Sequence, residues 1–411
     1  MKGIDLPLVL LTTLLLLFGL LVIHSAQPEE TGELGRIFLR QTLWILPALL
    51  AGAVAFLIPY RIFNALAYLL YGISLLLLLI PLLPPESPTP ARRWILLGPL
   101  QFQPSEIAKV ASVLVLARRI SMQQFSRGGI KNLLFPLTLA LLPTILVLIE
   151  PDLGTSLIFV FLFLVILSYR RVHPSSLLFL SSPLLSLLSA FHWLSWSIFL
   201  LTFLTVLFLL YKRFFMTPYA HFTLGQGLLL LALNSGIGIS TPLLWNSLKE
   251  YQQKRILTFL NPNLDPQGAG WHTLQSKIAI GSGGLLGVGY GEGTQKNLAF
   301  LPEQHTDFVY SVIGEELGFV GCTLLLLSYL LLIRRGFMIA NSTKNLTKSL
   351  AAVGLVSIFL FQVTINIGMA IGLIPVAGLP LPFISYGGSS LVVSTFAIGL
   401  LLNIGRTRYE Y

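Results

Sequence analysis

The sequence predicts an all-α polytopic membrane protein with about twelve transmembrane helices. Two observations carry this reading. Apolar residues fill 55% of the 411 positions and charged ones only 10%, against about 25% charge in a soluble globular chain, so there is too little polar surface for water. The apolar residues also fall into runs long enough to cross a bilayer as helix, which takes about 20 residues. These runs lie near 5–24, 41–59, 63–83, 104–120, 133–149, 155–169, 175–192, 196–211, 222–244, 308–333, 349–373 and 389–404. A secreted, cytosolic or disordered chain is excluded.

Taken in order, the first run ends in Ile23-His24-Ser25-Ala26, as a signal peptide would. It is long for that purpose and more spans follow, so it is read as a retained helix. The runs between 175 and 244 are interrupted by Pro183, His192 and Gly236. Basic residues gather in every second connection: Lys2, Arg61, Arg118-Arg119, Arg170-Arg171, Lys212-Arg213, Arg334-Arg335 and Arg406. The positive-inside rule then places both termini in the cytoplasm. Pairs scattered between apolar runs also explain the net charge of +10 without nucleic acid, which needs one basic water-facing patch. The single cysteine, Cys322, lies in an apolar run and reads as a packed thiol. Positions 1–411 read as a single domain, with extracytoplasmic segments at 25–40, 84–103 and, the largest, 245–307. No internal repeat is evident, which weakly disfavours a transporter.

The chemistry concentrates in those outer segments. Within 245–307, Asn261 through Gly270 (NPNLDPQGAG) precedes Trp271-His272 and then a glycine-dense stretch through Gly293. That stretch matches no phosphate-loop fingerprint, so it is either a tight turn or a backbone cradle. Asp265 is the candidate general base, because a carboxylate partly desolvated at a membrane surface has a raised pKa. Glu303, His305 and Asp307 bunch just before a span. These three are substrate-binding candidates, and with His272 they offer ligands to a divalent cation such as Mg²⁺ or Mn²⁺ beside a substrate phosphate, not a structural zinc site. Upstream, Pro104-Ser105 reads as a helix start that puts Glu106 and Lys109 at i, i+3, close enough to pair. They are either a structural ion pair or, with Arg92 and Arg93, a grip on an anionic headgroup. Glu150-Pro151-Asp152 forms a short turn with Asp152 as a helix cap. Pro375 through Ser390 (PVAGLPLPFISYGGSS) is too rich in Pro and Gly to span, so it reads as a re-entrant segment or a plain hairpin connection.

Together, RRWI…GPLQFQPSEIAK, EPDLGTS, DPQGAGWHTLQSKIAIGSGG, GTQKNLAFLPEQHTDFVYSVIGEELG and GLPLPFISYGGSS resemble the SEDS family. These are the shape, elongation, division and sporulation proteins represented by RodA and FtsW. The stretch Gln275-Ser276-Lys277-Ile278 and FLPEQHTDF are more similar to the elongation branch than to the division branch. The resemblance implies a peptidoglycan glycosyltransferase that polymerises lipid II beside a class B penicillin-binding protein in the elongation machinery. It maps the essential aspartate onto Asp265 and functionally important residues onto Glu106 and Lys109. Gln275, Ser276, Lys277 and Ser385 join the substrate-binding candidates through the same strings. The family usually has ten spans, so the twelve read here place an extra pair between 171 and 245. A lipid II flippase, which Glu106, Lys109 and the irregular 375–390 segment suit but which gives the Asp265 loop no obvious task, and a non-catalytic scaffold are the rival readings.

Overall fold

The computed structural model describes residues 4–26, 34–83, 93–97, 100–123, 131–170, 181–183, 185–186, 189–190, 193–215, 224–247, 253, 257–258, 269–297 and 304–408. The helices are α1 (Leu6–Ser25), α2 (Leu34–Leu57), α3 (Tyr60–Leu79), α4 (Pro104–Ser121), α5 (Lys131–Ile149), α6 (Leu153–Tyr169) and α7 (Trp193–Phe215). They continue with α8 (Leu224–Ser247), α9 (Ala269–Ser282), the short α10 (Thr294–Asn297), α11 (Val309–Ser342), α12 (Leu346–Ala370) and α13 (Gly388–Arg406). Every expected span has its helix except 175–192, most of which lies outside the described residues. Six of the helices are long and apolar enough to cross a membrane, and the chain is a multi-pass membrane protein. Among the described residues the strands form a small antiparallel ladder, β1 (Ile95–Leu97) on β2 (Leu100–Phe102), with Ile95 opposite Phe102.

Local signals set the helix ends. Asp5, Asp152 and Asn345 cap α1, α6 and α12 by accepting from the amides of Leu8, Thr155 and Lys348 at 3.1, 3.1 and 3.2 Å, which satisfies donors that a first turn leaves open. Pro104 occupies the first turn of α4, where its missing N–H is harmless.

Sidedness comes next. On α1, Leu8, Thr12, Leu15, Gly19 and Val22 are buried while Leu10, Leu14, Leu17 and Leu21 are exposed. A helix apolar all round thus turns one stripe to protein and one to lipid. The innermost helices are α4 and α12, buried along most of their length. α4 packs on α3 and α5, α12 packs on α4, α6 and α11, and α13 lies along α2.

Two irregular stretches interrupt this bundle. In α11, Gly318 takes φ +62, ψ −159, a region essentially confined to glycine. The break frees the carbonyls of Glu315 and Glu316 and the amides of Phe319 and Val320. The glycine-dense stretch takes all four. Val288 and Gly289 donate to the two carbonyls at 3.0 and 3.1 Å, and the carbonyls of Gly284 and Leu285 accept from the two amides at 2.9 and 3.1 Å. A Cβ on Gly318 would run into the backbone of Leu285 and Gly287. The stretch therefore completes a broken helix, and its amides are engaged by protein.

The second stretch, 371–387, is the non-helical segment expected at 375–390, and its residues 381–385 are buried. Its backbone is held by side chains. Asn366 donates to Leu379 O at 2.8 Å, Tyr329 to Pro382 O at 2.5 Å, and Gln41 accepts from Gly387 N at 3.3 Å. Gly19 of α1 has no side chain, which lets the Phe383 carbonyl seat against it.

Gly318→Ala should lower stability by at least about 2 kcal/mol, because it adds left-handed strain to a backbone clash. Gly72→Ala on α3, with nothing near its added methyl, should be neutral or stabilising by up to about 1 kcal/mol. Thermal unfolding of the two purified variants in one detergent checks the contrast, and equal losses would refute the assignment of the break.

Candidate active site

The loops at one end of the bundle bring most of the sequence candidates together. α9 docks through Ser276, whose hydroxyl lies 2.5 Å from that of Ser311 at the start of α11 and donates to Ala370 O at 2.6 Å. Gln275 is buried beside it, whereas Lys277 is exposed, its side chain lying against Gly372. The turn 304–308 follows. Its His305 carbonyl accepts from Tyr386 N at 2.8 Å, and the two rings meet edge to face at 5.9 Å. Ser385 donates to Thr306 O at 2.5 Å, and Asn366 donates to Asp307 O at 3.1 Å. The Asp307 carboxylate faces Gly378. Lys277, His305 and Asp307 thus lie against the 371–387 segment, to which Ser385 belongs, and Ser276 docks α9 just before it.

A second cluster borders the same segment. Gly154 of α6 abuts Ala377, next to the residue that Asp307 faces. Just before it, the Arg93 guanidinium donates to the carbonyls of Glu150 and Pro151 and stands 3.6 Å from the Asp152 carboxylate. Gln103, leading into α4, donates to Asp152 at 3.4 Å. Arg93 is therefore committed to the turn between α5 and α6. Glu150 is 1% exposed, and neither of its carboxyl oxygens has a hydrogen-bond partner. Burial above all, and then the Asp152 charge, pushes its pKa up to about 8 against the opposing pull of Arg93. Glu150 sits in the turn, outside both helices, and holds its proton at neutral pH.

Glu106 and Lys109 pair at 2.8 Å as their spacing predicts, both almost wholly buried. Among the described residues each is the other's only charged partner. The pair is sealed from water on the first turn of α4. Asp265, Arg92 and Glu303 lie outside the described residues. Among those described, no three His, Cys, Asp or Glu side chains gather as a metal site. His305 and Asp307 alone make no cage for a cation.

Two acids escaped the sequence reading. Glu315 and Glu316 are buried at the start of α11. Thr294 Oγ1 and Gln295 N donate to Glu315 at 3.0 and 2.9 Å, and Ser25 Oγ lies 2.5 Å from both Glu316 oxygens. Two adjacent acids inside an apolar run were the available signal.

The model of the FtsW, RodA and SpoVE cell cycle proteins matches residues 6–202 and 203–410. The chain belongs to this family. Relatives match along nearly their whole length. The peptidoglycan glycosyltransferase MrdB of Escherichia coli K12 is 37% identical over 406 residues, covering 98% of this chain and 93% of MrdB. The peptidoglycan glycosyltransferase RodA of Treponema pallidum is 34% identical over 97% of each chain. Among solved structures, a chain of a peptidoglycan synthase complex that coordinates polymerisation and crosslinking superposes with a TM-score of 0.71 at 30% identity, covering 100% of both. Thermus thermophilus RodA gives a TM-score of 0.64 at 28% identity, covering 100% of this chain and 99% of that one.

Removing one member of the buried pair leaves the other charge uncompensated. Lys109→Met or Glu106→Gln should each destabilise by about 3–5 kcal/mol, while the apolar double variant Glu106→Leu/Lys109→Met loses less than either. Thermal unfolding of the three variants tests this, and a double variant as damaged as the sum of the singles would contradict it. Because the folded Glu150 carboxyl keeps its proton up to about pH 8 and the unfolded one does not, its contribution is full below the ordinary carboxylate range. It is lost as pH rises through 8. Glu150→Gln should flatten that decline in Tm between the ordinary carboxylate range and about pH 8, and an unchanged slope would exclude Glu150 as its source.

Proposed function

We propose that this peptidoglycan glycosyltransferase polymerises lipid II at the outer face of the bacterial cytoplasmic membrane, during cell elongation, with Asp265 as general base. Asp265 takes the proton of the GlcNAc 4-hydroxyl on one lipid-linked disaccharide. The hydroxyl oxygen forms its bond to C1 of the MurNAc on another. The C1–O bond breaks, and its electron pair leaves with undecaprenyl pyrophosphate. An α-linked donor giving a β-linked product makes this a single inverting displacement with no sugar–enzyme adduct.

The observation that carries the reading is the convergence of α9, the 304–308 turn and the 371–387 segment at one end of the bundle. Asp265 precedes Ala269, the first residue of α9, by four positions, so chain length alone keeps it within about 15 Å of that docked helix. Lys277 on the same helix is exposed, and its cation suits a departing pyrophosphate. It ranks ahead of Lys109 and Arg93, which are engaged with Glu106 and with the 150–152 turn. Arg92 keeps the role its sequence position suggests. Mg²⁺ or Mn²⁺ would serve as a counter-ion to the substrate phosphates. The distribution of Lys and Arg supports cytoplasmic termini. The likeness to a chain of a synthase complex supports a class B penicillin-binding protein as the crosslinking partner.

Asp265→Asn removes the charge at nearly constant shape. Purified lipid II incubated with the wild type and the partner should give glycan chains, and the folded Asp265→Asn protein should give at least about 100-fold fewer, the low end for loss of a general base. Equal chains from both would remove Asp265 from the mechanism. No chains under any condition, alongside flipping that survives the substitution, would replace the polymerase by a flippase.

A further inference from the structure

For a helix outside the expected spans, α9 is built inside out. It buries Gln275 and Ser276 and exposes Leu274 and Ile278, the reverse of what water would select. Thr273 and Lys277, one turn apart on the same helix, both lie against Gly372. That residue takes φ +74, and a side chain on it would meet Lys277 Cε and Nζ. Its neighbours Ile371 and Leu373 are exposed too, Leu373 to 72%. The Lys277 ammonium has no hydrogen-bond or ion-pair partner among the described residues. Depth decides what this patch meets. α12 runs 25 residues and ends at Ala370, about 37 Å of helix, which crosses the hydrocarbon core and reaches headgroup level. Ile371 and Leu373 therefore stand at the outer boundary between lipid and water.

We propose that Leu274, Ile278, Ile371 and Leu373 cradle the first isoprene units of the polyprenyl carrier while Lys277 holds its pyrophosphate. A cation framed by apolar side chains at headgroup level matches an anionic head that continues into a hydrocarbon tail. The inference rests on the polymerase reading and adds to it a place for the lipid tail. Position favours the carrier over a bilayer phospholipid. Asp265 lies four residues ahead of α9, and Asp307 faces Gly378 on the segment that Lys277 touches. A pyrophosphate on Lys277 is thus next to the groups assigned to the sugars. The cradle holds one lipid twice, before transfer as part of the donor and after it as the leaving group.

The test reads retention without turnover, by native mass spectrometry of the full-length protein in detergent with undecaprenyl pyrophosphate and phosphatidylglycerol in competition. The wild type and Asp265→Asn should both retain the carrier preferentially. Leu274→Ser/Leu373→Ser should weaken that retention about tenfold and Lys277→Gln about fivefold, whereas Lys277→Arg should keep it. All three positions are exposed, so these variants leave the packed interior intact. Leu243→Ser, which changes an equally exposed leucine on α8, should retain the carrier as the wild type does. Retention unchanged by the leucine and lysine substitutions overturns the proposal, even in a protein that makes glycan. Equal retention of phosphatidylglycerol also overturns it and makes the patch an ordinary lipid contact. Carrier retention that the substitutions abolish, in a wild type that makes no glycan from lipid II, keeps the cradle and removes the polymerase reading alone.

Discussion

Backbone that leaves the helix inside a membrane protein must find its hydrogen bonds in the protein, and the two places where this chain does so organise everything near the candidate site. At Gly318 the helix breaks and the 284–289 backbone closes all four open valences. At 371–387 the chain abandons helix altogether, and Asn366, Tyr329 and Gln41 supply the bonds. The first junction fixes where the loop before α10 leaves the bundle. The second, which contains Ser385, gives His305, Asp307 and the α6 start at Gly154 a common wall.

Charge follows the same logic. A carboxylate or ammonium away from water is stable only with a partner or without its charge, and the described residues use both solutions. Glu106 and Lys109 neutralise each other, Glu315 and Glu316 take hydroxyl and amide donors, Asp152 has Arg93, and Glu150 keeps its proton. Among the described side chains of α9, Lys277 is an exposed cation. That separates residues that shape the site from one that can meet a substrate.

Local features were legible in the sequence. The spans follow from hydropathy alone, the Glu106–Lys109 pair from i, i+3 spacing, the Asp152 cap from its place before Leu153, and the irregular 375–390 stretch from its Pro and Gly content. Contacts between distant parts were not. Arg93 reads as a free outer cation until the fold brings the 150–152 turn, more than 50 residues away, under its guanidinium. The glycine-dense stretch could be a cradle or a turn, and only the break at Gly318 decides its task. Glu315 and Glu316 were overlooked because Ser25, which stabilises one of them, lies 291 residues upstream. The short ladder at 95–102 pairs Ile95 with Phe102 within a stretch read as loop. The Asp265 loop stays a matter of sequence and resemblance.

The contacts of α1 set an order for biogenesis. It is made before the other described helices, yet its protein-facing side meets α11, and Gly19 and Ser25 meet Phe383 and Glu316, hundreds of residues downstream. At about 5–20 residues per second, synthesis takes on the order of 15–60 s to deliver those partners. Through that interval α1 sits in the bilayer with an unmatched stripe, which its uniformly apolar surface makes tolerable. The bundle cannot close from front to back as it emerges; its beginning waits for its end.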